Sequence, residues 1–192
     1  MKYSIKNMIT ITIVAFMAFS FTTTEGEKKE IKTENSKLVW KGYKVTGSHH
    51  GVISIKSGYL TFNEDKLTGG EFTINMSTIT NTDLEGDYKE KLEGHLKSDD
   101  FFGVEKFPTA SLIFTNVKST GKNSYEVTGD LTIKGKTETV SFELSVYGSK
   151  ANASLKVDRS KFDVRYGSTS FFDGLKDKAI YDEFDLVADL EF

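Results

Sequence analysis

The stretch Gly94-His95-Leu96-Lys97-Ser98-Asp99-Asp100-Phe101-Phe102, followed after a short gap by Phe107-Pro108-Thr109-Ala110, marks where the chain changes its period. Before it, Leu84, Tyr88, Leu92 and Leu96 recur every four residues, which places them along one helical face with His95 among them. After it, Ala110, Leu112 and Phe114 alternate with Thr109, Ser111 and Thr115. That two-residue period is a strand, and Pro108 sits where a strand accepts it, at the start. A helix is therefore expected to lead, through two adjacent phenylalanines, onto a β-patterned chain and to close a barrel. Thr82-Asp83-Leu84-Glu85 has the form of a capping box for its first turn. Gly86 and Gly94 each weaken the helix by about 1 kcal/mol relative to alanine, so it must be held by docking, as a movable lid would be.

Outward from this point the pattern is strand after strand. Upstream, Leu38, Trp40 and Gly42 alternate with Val39, Lys41 and Tyr43, and a turn is expected at Gly47-Ser48-His49-His50-Gly51. Gly58, Leu60 and Phe62 then share one face, with Gly58 marking a bulge or bend, and Gly69-Gly70 helps frame a turn before Phe72, Ile74 and Met76. Downstream, Tyr125, Val127, Gly129, Leu131 and Ile133 form one face, Lys134-Gly135-Lys136 turns, and Val140, Phe142, Leu144 and Val146 follow. Gly148-Ser149 suits a two-residue hairpin turn into Ala151, Ala153, Leu155 and Val157. Residues 158–182 are irregular, with a pattern through 172–177 that admits a short helix, and the last strand carries Phe184, Leu186, Ala188, Leu190 and Phe192 on one side.

The sum is an all-β chain of eight strands, with one helix between strands 3 and 4. Clean alternation means antiparallel strands wet on one face, and eight of them remove their edges by closing into an antiparallel barrel wide enough for a small ligand. A two-sheet sandwich is the other architecture compatible with the pattern.

The N-terminus stands apart. Lys2 and Lys6 precede an uncharged, mostly apolar run from Met8 to Phe19, with Ala18 and Ser20 as small residues two apart. A run of about 12–14 residues is too short to span a bilayer and suits a signal peptide at 1–20, cleaved near Ser20, giving a periplasmic or secreted protein. Residues 21–36 are polar and aperiodic and are expected to be a flexible tether, leaving 37–192 as one domain. Without residues 1–20, 23 basic residues face 28 acidic ones, a net charge of −5 that argues against nucleic acid as a partner. The chain has no cysteine, which excludes disulfides, thiol catalysis, thiolate metal sites and a lipid anchor on an N-terminal Cys. Fifteen of its aromatic residues are Phe, smooth surface for a core or for a cavity that takes a hydrocarbon.

Several of these motifs together resemble the YceI-like family of polyisoprenoid- or lipid-binding proteins. They are Trp40, the Gly-His stretch at 47–51, His95-Leu96-Lys97-Ser98-Asp99-Asp100-Phe101-Phe102, Phe107-Pro108-Thr109, and Gly129-Asp130-Leu131-Thr132-Ile133-Lys134-Gly135. The resemblance covers about residues 38–192 and implies a lipocalin-like barrel with an apolar tunnel for an amphiphile, without catalysis. The implied ligands are a polyisoprenoid, an isoprenoid quinone, or a fatty acid or amide. The chain departs from many members in carrying Lys89-Glu90 and Lys91-Leu92-Glu93-Gly94 where an Arg-Asp pair precedes the His-Leu element. In such a barrel the inward registers nominate Phe62, Phe72, Ile74, Met76, Phe114, Leu131, Phe142 and Leu144 from the strands as ligand-binding. From the helical segment they nominate Tyr88, His95 and Phe102.

Other chemistry finds less support. His49, His50 and His95 lack the spaced acids that would complete a metal site, so the pair reads as turn residues and His95 as a hydrogen-bonded inward side chain. Asp99-Asp100 reads as a solvated turn, and Gly47-Ser48-His49-His50-Gly51 is not spaced as a nucleophile elbow. No cofactor is expected. Two alternatives to a lipid carrier stand: a filled barrel that docks another envelope component through its acidic face or its Tyr166-to-Phe172 loop, and a lipid-modifying enzyme, for which no base is identified.

Overall fold

The computed structural model describes residues 26–192. Eight strands form the ring: β2 (Lys37–Lys44), β3 (Gly47–Asn63), β4 (Lys66–Asn81), β5 (Thr109–Ser119), β6 (Ser124–Ile133), β7 (Lys136–Tyr147), β8 (Lys150–Asp158) and β9 (Ile180–Glu191). Each pairs antiparallel with its neighbour in the chain, and β2 pairs with β9 to close the barrel. The expected two-residue turns are present, with positive φ at Lys134, Gly135 and Gly148. The helix α1 (Gly86–Lys97) lies between the third and fourth ring strands, as the change of period predicts.

The alternation sets the inside. On β8, Ala151, Ala153, Leu155 and Val157 are all buried while the residues between them are not. On β3 the inward set changes parity, from Ile53 and Ile55 to Leu60 and Phe62, because an extra residue is inserted between Ile55 and Ser57. Gly58 itself pairs regularly with Phe72 and is required for space: a Cβ there would lie 2.7 Å from the Phe72 ring.

Several expectations are corrected. The stretch from 26 to 36 is not a tether. It begins with a ninth strand, β1 (Glu27–Glu30), paired with β3 at Tyr59–Phe62, and continues into a buried Ile31 and a Lys32–Glu191 ion pair at 3.2 Å. β2 pairs β3 only as far as Ile53, so the edge beyond has free amides that even a charged segment can satisfy, and Lys28 and Lys29 lie over the rings of Tyr59 and Phe62. The signal-peptide reading of 1–20 and the remainder of the tether, 21–25, lie outside the described residues. Gly47 to Gly51 belongs to β3, the turn being Val45-Thr46, and Gly69-Gly70 lies inside β4.

The capping box does not form, because the Thr82 amide is taken by the His50 carbonyl at 3.0 Å; Asn81 Oδ1 instead accepts from Leu84 N–H at 2.8 Å. The short helix expected through 172–177 is reduced to a single 3₁₀ turn at Lys176–Lys178, since Gly174 and Lys176 adopt positive φ, and a second 3₁₀ turn lies earlier, at Arg159–Phe162.

Candidate functional site

The interior is divided in two. At one end phenylalanines pack ring to ring, with Phe72 against Phe114 at 5.7 Å, Phe114 against Phe142 at 5.7 Å and Phe62 against Phe192 at 5.4 Å. At the other end a cavity of about 120 Å³ remains, walled by Leu38, Trp40, Ile53, Ile74, Met76, Ile79, Ala110, Leu131, Ile133, Phe184 and Leu186. Leu96 from the last turn of α1, with Phe101 and Phe102, plugs its helix-side end, all three being buried.

Of the residues nominated from sequence, Ile74, Met76, Phe102 and Leu131 meet at this cavity. Phe62, Phe72, Phe114, Phe142 and Leu144 point inward but belong to the packed end and do not line it. Tyr88 is corrected outright: it is 75% exposed. The helix turns only its C-terminal end to the barrel, anchored by Glu93, which accepts from Thr80 Oγ1 at 2.5 Å and from Asn81 N–H at 2.8 Å. His95 lies outside the plug, edge-on to Phe101 and Tyr166 at 5.4 and 4.3 Å. Its Nε2 is buried without a hydrogen bond, which corrects the expectation of a partner. Burial holds the His95 pKa below its ordinary value, against the opposing pull of the Asp100 charge.

The polar part of the lining is Arg159, missed from sequence. Its guanidinium is buried under the wall and donates from Nε to the Tyr181 carbonyl at 3.1 Å, from Nη1 to Val164 at 2.7 Å and from Nη2 to Ile180 at 2.9 Å. Asp182 Oδ1 lies 3.5 Å from Nη2 and offsets its charge, and Phe101 stacks beneath it. The available signal was its rarity: arginine occurs twice in a lysine-rich chain, and only a planar five-donor group can serve three converging carbonyls. Tyr43 also lines the cavity, but its hydroxyl donates to Asp185 at 2.5 Å. Neither a carboxylate nor an imidazole is among the lining side chains, so the cavity can hold apolar matter but presents no base beside a nucleophile.

At the other end of the helix, Asp83 receives His49 Nδ1 at 2.9 Å, the His50 amide at 2.9 Å and the Asn81 amide group. Burial opposes ionisation there, but these hydrogen bonds outweigh it and lower the Asp83 pKa to about 2. Among the described residues no group of three or more His, Cys, Asp or Glu is arranged to hold a metal ion.

Comparison with known proteins bears on this arrangement. The model of the YceI-like domain matches residues 30–192. A UPF0312 protein of Pseudomonas putida strain W619 is 33% identical over 99 residues, 52% of this chain and 50% of that protein. One from Shewanella denitrificans is 31% identical over 91 residues, 47% of this chain and 46% of that protein. The chain thus spans about half the length of the curated relatives it matches. The crystal structure of Burkholderia cenocepacia BcnA superposes with a TM-score of 0.66 at 22% identity, covering 83% of this chain and 98% of that one. A polyisoprenoid binding domain from Saccharophagus degradans gives 0.60 at 12% identity, covering 86% and 97%. At these identities the two structures speak for the fold alone.

Proposed function

Because the chain belongs to the YceI-like family, we propose that it is a binding protein that holds the apolar chain of an amphiphile inside its barrel. The observation that carries this is the cavity at the helix-side end, walled by hydrocarbon and plugged by Leu96, Phe101 and Phe102. A water-sized group takes about 10–15 Å³ of such space, so the cavity admits on the order of ten carbons. Burying ten methylenes yields about 8 kcal/mol before the costs of association, enough for useful affinity without a strong head-group contact. The Saccharophagus domain described as polyisoprenoid binding supports a prenyl chain as one ligand class, with quinone or acyl chains fitting the same wall. A longer chain would protrude or displace the phenylalanine pack. The basic, apolar and small-residue pattern of residues 1–20 supports export, and with it a carrier or scavenger role in the periplasm or outside the cell.

The test is native mass spectrometry of the protein purified from its own cells without detergent, followed by organic extraction. A stoichiometric amphiphile on a chain shortened by about 20 residues is expected. A full-length apoprotein that also takes up no added prenyl or acyl lipid overturns the reading. The exposed Tyr166, Phe171 and Phe172 would then be the place to look for a docked partner.

A further inference from the structure

The lining of the cavity meets the protein surface at one point of the closing ladder. Of its lining residues, Tyr181 is the one that is exposed, at 54%, whereas the three that plug the helix-side end are each at least 92% buried. Tyr181 sits where the closing ladder breaks. β2 and β9 pair regularly from Lys37↔Asp189 to Gly42↔Phe184, and the next partners are Lys44↔Ile180. One residue of β2, Tyr43, thus stands opposite three of β9, Tyr181, Asp182 and Glu183, so β9 forms an arch there.

Gly42 lies on the cavity side of that break. It continues the inward set of Leu38 and Trp40, and a Cβ placed on it would meet no atom within 4 Å. The wall is therefore missing a side chain beside the arch. Its φ is not positive, so nothing in the backbone demands glycine. Arg159 keeps the arch from collapsing into a regular ladder. The carbonyls of Ile180 and Tyr181 are held by its guanidinium, and the Asp182 that offsets its charge is part of the arch.

We propose that the arch between β2 and β9 is the entrance by which the ligand reaches the cavity, with Tyr181 as its movable cover and Gly42 as the gap it passes. This rests on the hydrophobic-ligand reading and goes beyond it by fixing the route. The path needs no displacement of α1, so the helix is a wall and not the lid.

The test is stopped-flow fluorescence with N-phenyl-1-naphthylamine as the apolar probe. Tyr181→Ala is expected to speed association and dissociation together, by roughly tenfold, leaving the equilibrium constant within about threefold, as a cover removed from a path does. Gly42→Leu, which the open space accommodates without backbone strain, is expected to slow association by tenfold or more. Tyr88→Ala, on the solvent face of α1, should leave both rates unchanged. Unchanged rates in Tyr181→Ala, or a Gly42→Leu protein that loses affinity through faster dissociation alone, overturn the side entrance. Should Gly42→Leu fail to fold, the exposed Tyr181 still decides the matter. A wild-type protein that takes up no probe sinks the ligand reading itself, a result distinct from any of these.

Discussion

Replacing Arg159 with methionine keeps much of the side chain's bulk but removes every donor from the carbonyls of Val164, Ile180 and Tyr181, and leaves Asp182 facing no cation. The expected cost is about 3–5 kcal/mol in denaturant unfolding, and Arg159→Lys should recover little of it, since a single ammonium nitrogen cannot reach acceptors that three separate guanidinium nitrogens serve. Asp83 makes a pH-dependent contribution. Its folded pKa of about 2 lies below the ordinary 3.8, so its stabilisation is complete above pH 4 and is lost as pH falls from 4 toward 2. Asp83→Ala should therefore cost about 1–2 kcal/mol at pH 7 and flatten the acid limb of the stability curve over that interval. Neither role could be read from the residue names. Asp83 was legible only as a helix-start acid, because its partners His49 and His50 are more than thirty positions away and meet it only after β3 and β4 have paired.

Among the elements, the ring strands were legible because alternation is a local signal, and the helix because its apolar residues recur every four. What failed was the use of that spacing to decide which helical residues face inward. Tyr88 and Leu96 share a stripe, yet Tyr88 is exposed, Leu92 is only partly buried against the core and Leu96 is buried, so burial grows toward the helix's C-terminal end. β1 was illegible for the opposite reason: Glu-Lys-Lys-Glu has no apolar period, and the pairing is imposed by the open edge of β3. The contact between α1 and the 163–178 segment passes through His95, whose burial favours the uncharged ring. A histidine whose folded pKa is depressed stabilises fully above its ordinary 6.5, and that stability is lost as pH falls below it. Thermal unfolding of the wild type should therefore weaken from pH 7 to pH 5, whereas His95→Phe, which keeps the ring contacts to Phe101 and Tyr166, should lose less over the same interval.

At the scale of the whole molecule, the sequence marks which side chains point inward but not which of them touch one another, because core and cavity draw on the same residues. Phe114 illustrates the division: its ring bridges Phe72 and Phe142 within the packed end and does not line the cavity. Phe114→Ala should cost about 2–4 kcal/mol and open space within the packed end, where the end of a longer ligand chain could lodge. In titrations with straight-chain alcohols of 8 to 18 carbons (a probe series), the preferred length should then rise by roughly three to four carbons, the length of the removed ring at about 1.3 Å per methylene. The pairing of β2 with β9 has a consequence for how the protein is made. The two strands that complete the ring lie about 150 residues apart, so the loop-closure cost of joining them falls on one late contact. Strands β2 through β8 can zip hairpin by hairpin, but until β9 joins them the sheet carries two open edges, the kind that pair with other chains. The barrel is thus closed only when β9 is in place, and the seam joined last is the one that holds the arch.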